Sequence, residues 1–77
     1  MYKLKDFVTD EMLKSVGFYK TPLQHYRFDV SNNHHVLVDK NTRKISAVKY
    51  DFKLLKLIEI ESDKLQVLIE KGWVEEV

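Results

Sequence analysis

Between residues 25 and 50 the side chains alternate in character, and this period limits what the chain can become more than any other feature. Tyr26, Phe28 and Val30 interleave with His25, Arg27 and Asp29. Successive side chains of a strand point to opposite faces, so this stretch reads as a half-buried strand. Ser31-Asn32-Asn33-His34 is turn material, because Asn tolerates positive φ. Val36 and Val38 resume the alternation, Asp39-Lys40-Asn41-Thr42 turns again, and residues 45–50 predict a third strand.

Pairing like with like predicts the register. A two-residue Asn32-Asn33 loop would set Val30 beside His35 and Phe28 beside Leu37, mixing two characters on one face. A three-residue loop over 32–34 sets Val30 beside Val36, Phe28 beside Val38 and Arg27 beside Asp39, and is the expectation. A four-residue second loop, Lys40 to Arg43, then aligns Val38 with Ile45 and Val36 with Ala47. The face expected under the helices is Tyr26, Phe28, Val30, Val36, Val38, Ile45 and Ala47. The reverse face would carry Leu37, Val48 and Tyr50, with Phe52 as a candidate fourth member, and is more apolar than a solvated face should be. A bulge near Ala47 is the alternative that would swing Val48 and Tyr50 inward.

Two short helices are marked by their ends. Thr9 can cap free amides while Asp10 and Glu11 suit the positive end of the helix dipole. Met12, Leu13 and Val16 make one apolar stripe, and Gly17-Phe18 closes it with a left-handed cap. Ser62-Asp63, the stripe of Leu65, Leu68 and Ile69, and Gly72-Trp73 repeat the pattern. Both glycines serve as caps, which leaves none for a phosphate-cradling loop. The likeness of residues 3–10 to residues 56–63, at a constant offset of 53, is read as two helices obeying the same starting rules rather than as a duplication. Residues 53–60, KLLKLIEI, fit helix or strand by periodicity; β-branched Ile58 and Ile60, and the cap at Ser62, favour a strand. Residues 73–77 are read as a short edge strand or a docked extension. The fold class expected is α+β: a small antiparallel β-meander of three to four strands packed against two short helices, one near each terminus, in a single domain over residues 1–77.

A domain of 77 residues buries only about 60–65% of its unfolded surface, so small scaffolds usually need a staple. With no Cys there is neither a disulfide nor a thiolate zinc site, which leaves nine aromatic residues as core material and self-association as the remaining staple. The N-terminal residues are broken by charge and do not read as a signal peptide; no apolar run approaches the roughly 18–20 residues of a membrane span, so a cytoplasmic protein without membrane contact is expected. Preference for Lys over Arg, with frequent Ile and Asn, suits an AT-rich bacterial or phage genome.

Few side chains are arranged for chemistry. Adjacent His34 and His35 point to opposite faces of an extended backbone, and His25 lies far along its strand, so no metal site and no cofactor are expected. Asp10/Glu11, Glu59/Glu61 and Glu75/Glu76 read as solvated carboxylates, and Ser15, Ser31, Ser46 and Ser62 occupy helix, turn, strand and cap positions without a nucleophile motif. No enzyme is expected.

Charge is polarised instead. Residues 1–53 hold ten Lys/Arg against six Asp/Glu, and residues 54–77 hold three against six. The leading expectation is therefore a non-enzymatic protein-binding module, such as an accessory factor or inhibitor from a phage or other mobile element. It would recruit a protein partner or a second copy, as a homodimer, through Leu37, Val48 and Tyr50. The alternative is nucleic-acid binding: Lys40, Arg43, Lys44 and Lys49, with aromatics interleaved, would form a phosphate-binding turn and strand.

Overall fold

A computed structural model describes all residues from 1 to 77. Chain order is β1 (Tyr2–Leu4), α1 (Asp10–Ser15), β2 (Tyr19–Lys20), β3 (His25–Ser31), β4 (His34–Asp39), β5 (Lys44–Asp51), β6 (Lys56–Glu59), α2 (Asp63–Glu70) and β7 (Val74–Glu76). The fold is α+β with two short helices, as expected, but the antiparallel sheet has seven strands rather than three to four. Its order is β2-β3-β4-β5-β1-β7, and β6 also lies on β5. One edge of the long β5 is therefore shared, with β1 pairing Lys44 and Ile45 and β6 pairing Val48 to Asp51.

Both helix starts follow from their caps. Thr9 accepts the Met12 N–H through its hydroxyl, and Met12 Sδ accepts the Thr9 N–H in return, a capping box with a thioether in place of the usual carboxyl. Ser62 accepts the Lys64 N–H. Gly17 and Gly72 both have positive φ, as the cap reading requires.

The β3–β4 register departs from expectation. Phe28 faces Val36, Tyr26 faces Val38 and Arg27 faces Leu37, two residues away from the predicted pairing. The turn is the two-residue Asn32-Asn33 loop, and the mixed face it would impose is corrected by a bulge between Asp29 and Ser31. Val30 is the extra residue; it falls out of the inner face and is exposed. The β4–β5 pairing is the predicted one, Val38 with Ile45 and Val36 with Ala47, and it runs without a bulge through His35–Val48. Residues 53–60 form a turn and then a strand, and residues 74–76 form the edge strand β7.

Two turns share one construction. In Asp39–Lys44 and Asp51–Lys56 the aspartate Oδ1 accepts two successive backbone N–H groups, and the last loop residue is left-handed, Arg43 at φ 62° and Leu55 at φ 55°. The core lies on one side of the sheet, where Leu13 of α1 and Leu68 of α2 cover Tyr26, Val36, Val38, Ile45 and Ala47, joined by Leu4, Val8, Phe18 and Val74. Lys64 fastens α2 to this layer: its ammonium lies 4.3 Å from the Phe28 ring centre and donates to the Val16 carbonyl at the end of α1.

Candidate functional site

Residues that face one another across an antiparallel ladder share a face, so the register fixes the uncovered side of the sheet. Tyr19 pairs with Arg27, Arg27 with Leu37, Asp29 with His35, His35 with Val48 and Tyr50 with Leu57. Val48 is only 8% exposed, yet it stands apart from the core cluster beneath the helices. Its shelter comes from the other side, where a groove of about 480 Å³ has Leu37, Val48 and Leu57 among its lining residues. Tyr19 to Leu23, the short β2 and the loop after it, supply one wall, and His25, Arg27 and His35 add polar groups. Within this groove Leu23 is 76% exposed and Leu57 54% exposed.

A carboxylate organises the polar part. Asp29 Oδ1 accepts Arg27 Nε–H at 2.6 Å and lies 2.6 Å from His35 Nδ1, while Asp29 Oδ2 accepts the Tyr19 hydroxyl at 2.8 Å. The Arg27 hydrogen bond, helped by those from Tyr19 and His35, lowers the Asp29 pKa from 3.8 to about 2. The hydrogen bond that Tyr19 itself donates to Asp29 raises the Tyr19 phenol. Arg27 engages Asp29 through Nε, so both of its Nη groups keep donor capacity. Chemically, the face offers an apolar floor, ring edges and a cationic fork held in place by its own counter-ion.

The three expected partner-binding residues separate by depth. Leu37 and Val48 form the floor, Val48 almost covered and Leu37 half-buried. Tyr50 shares their face but packs edge-on against Phe52, with ring centres 5.0 Å apart, beside the β5–β6 turn and outside the groove lining. The four basic residues of the alternative do not form one surface. Lys40 Nζ donates to the Thr21 and Leu23 carbonyls at 2.7 and 2.6 Å, and Arg43 Nη2 donates to those of Lys5 and Val8 at 2.9 and 2.7 Å. Both cations thus hold the chain's own loops. Lys44 and Lys49 are exposed, but their odd separation along β5 sends them to opposite faces. Of the histidines, His25 and His35 line the groove while His34 lies on the helix side. No three His, Asp or Glu side chains converge on one point.

Sequence reasoning missed Tyr19, Leu23 and Arg27 as groove residues. A two-residue strand has no readable period, and only pairing with β3 brings it to the face. It named Phe52 but passed over Leu54 and Leu55 beside it in the β5–β6 turn, where all three stand in solvent; three bulky apolar residues within a four-residue loop were the available signal. No helix is long and apolar enough to cross a membrane. Comparison with family models, curated proteins and solved structures finds no match to this chain.

Proposed function

We propose that the chain is a non-enzymatic protein-binding module whose uncovered sheet face seats a short segment of a partner protein carrying a bulky apolar side chain next to a carboxylate. One observation carries this reading: a small domain keeps an apolar floor, Leu37, Val48 and Leu57, on the side its helices leave bare, beside a largely exposed Leu23. Covering such side chains is worth about 1.5–3 kcal/mol each when complete. The polar groups lining the groove include Lys20 and Arg27, which match a carboxylate at its border. A cytoplasmic setting and a role as accessory factor or inhibitor fit this reading. Nucleic acid is the less favoured partner, because Lys40 and Arg43 already hold backbone carbonyls.

Selection from a displayed random-peptide library tests the proposal. Retained peptides are expected to combine Asp or Glu with Leu, Ile, Phe or Trp. Replacing Leu37 by Glu, or Arg27 by Glu, is expected to reduce recovery at least about tenfold. Retention of peptides without this pattern, or equal recovery by both variants, contradicts it.

A further inference from the structure

The free edge of β6 is the feature that the groove does not explain. β6 pairs with β5 on one side and has no strand on the other. Ile60 donates to the Ala47 carbonyl, so by alternation Ile58 and Lys56 also turn their backbone groups toward β5. Leu57 and Glu59 therefore direct their N–H and C=O groups away from the sheet, where nothing receives them. An edge like this is a template for another strand.

The side chains along the edge are sorted by sign. Lys53 and Lys56 stand at the turn end, and Glu59, Glu61 and Asp63 stand at the helix end; all five are exposed. Apolar surface lies between and beyond them: Leu54, Leu55 and Leu57 are exposed at the turn, and Ile60, Leu65 and Ile69 line a cleft of about 510 Å³ where β6 meets α2. Lysine on an edge strand ordinarily blocks pairing by like-charge repulsion. Here the sorting reverses that rule for one geometry only. A parallel neighbour would set Lys on Lys and Glu on Glu, whereas an antiparallel second copy sets Lys53 and Lys56 of one chain at the end of the other that bears Glu59, Glu61 and Asp63.

We infer that two copies of this chain join through antiparallel pairing of their β6 edges. Ile58 lies at the two-fold axis, and Leu57 of each copy exchanges backbone hydrogen bonds with Glu59 of the other. The two sheets become one continuous sheet, the exposed leucines of each turn approach the acidic-rimmed cleft of the other copy, and growth stops at the pair because each copy has one β6 edge. This inference goes beyond the groove reading and does not depend on it: it rests on the free backbone edge and the sorted charges of β6, and Leu57 is the one residue common to both, with its side chain in the groove and its backbone on the edge.

Sedimentation equilibrium of the full chain, together with two charge-reversed variants, tests it. The wild-type mass is expected to rise from one chain to two with concentration. Lys53→Glu/Lys56→Glu makes the whole edge acidic, and Glu59→Lys/Glu61→Lys makes it basic except for Asp63. Each variant alone is expected to dimerise at least about tenfold more weakly, and an equimolar mixture is expected to restore the dimer as a heterodimer. All four positions are exposed, and far-UV circular dichroism checks that both variants fold. A wild-type mass fixed at one chain up to about 1 mM overturns the inference. Variants that dimerise as well alone as mixed overturn it too, because the interface would then lie elsewhere.

Discussion

Replacing Gly17 by Ala tests how tightly the end of α1 is packed on the sheet. Gly17 has φ +99°, and a β-carbon built on it falls 2.8 Å from Phe28 Cε2 and 3.1 Å from Cδ2. Left-handed backbone costs an ordinary residue about 1–2 kcal/mol. The steric cost depends on whether Phe28 can move. Its ring lies 5.6 Å from the Phe18 ring, centre to centre, and under the Lys64 ammonium, so retreat breaks both contacts. Overpacking of this kind adds about 1–3 kcal/mol, which brings the expected loss to about 3 kcal/mol, a large fraction of the stability of a small domain. Gly72 supplies the control: its φ is +75°, but nothing lies within 4 Å of an added β-carbon, so Gly72→Ala should cost only the backbone share, about 1–2 kcal/mol. Urea unfolding followed by far-UV circular dichroism measures both. Phe28→Leu made in the Gly17→Ala background should recover part of the added cost through non-additivity. Equal losses at the two glycines, within about 0.5 kcal/mol, would refute the claimed packing of Phe28 against the cap.

Leu55 is left-handed and 71% exposed, so Leu55→Asn should raise stability by about 1 kcal/mol at concentrations too low for self-association; a lower urea midpoint would mean that its side chain makes a stabilising contact within the monomer. Arg43→Ala removes two charge-assisted donors from the Lys5 and Val8 carbonyls and should cost about 2 kcal/mol in the same assay, whereas unchanged stability would return Arg43 to the pool of free cations. Asp29 binds its proton less readily folded than unfolded, so its contribution to stability is complete above about pH 4 and disappears as the pH falls toward 2. Because its side chain is 40% exposed, solvent screening holds that contribution below about 1 kcal/mol. A carboxyl-carbon NMR titration should place the midpoint near 2, and a midpoint near the ordinary 3.8 would dissolve the Tyr19–Arg27–Asp29–His35 cluster.

Long periodic elements and caps were legible in the sequence, and short or irregular ones were not. Alternation located β3, β4 and β5, and the Thr9, Gly17, Ser62 and Gly72 caps located both helices, because each signal is local. The four-residue turn after Asp39 was also readable, and with it the whole β4–β5 register. Two-to-three-residue strands such as β1, β2 and β7 carry no period of their own; they exist because a neighbour offers each an edge, β5 for β1, β3 for β2 and β1 in turn for β7. The bulge at Val30 escaped for a related reason. A shift of two residues returns every side chain to its own face, so the apolar pattern cannot distinguish the predicted pairing from the observed one. Leu37 and Val48 were correctly placed on the reverse face by alternation alone. Their shelter was not foreseeable, since it depends on Leu57 across β6 and on the loop after β2. Lys40 and Arg43 show the opposite limit: a basic turn resembles a ligand site until distant carbonyls, Thr21 and Leu23 or Lys5 and Val8, are found to receive it.

The most direct test of the account is an amide chemical-shift titration of the ¹⁵N-labelled chain with one acidic, apolar peptide recovered by display selection. The expected result is a contiguous set of shifted amides over Tyr19, Arg27, His35, Leu37, Val48 and Leu57, with α1 and α2 unmoved. Shifts confined to the helices, or saturable binding that leaves those six amides in place, would contradict the claim that the uncovered face of the sheet is where this protein works.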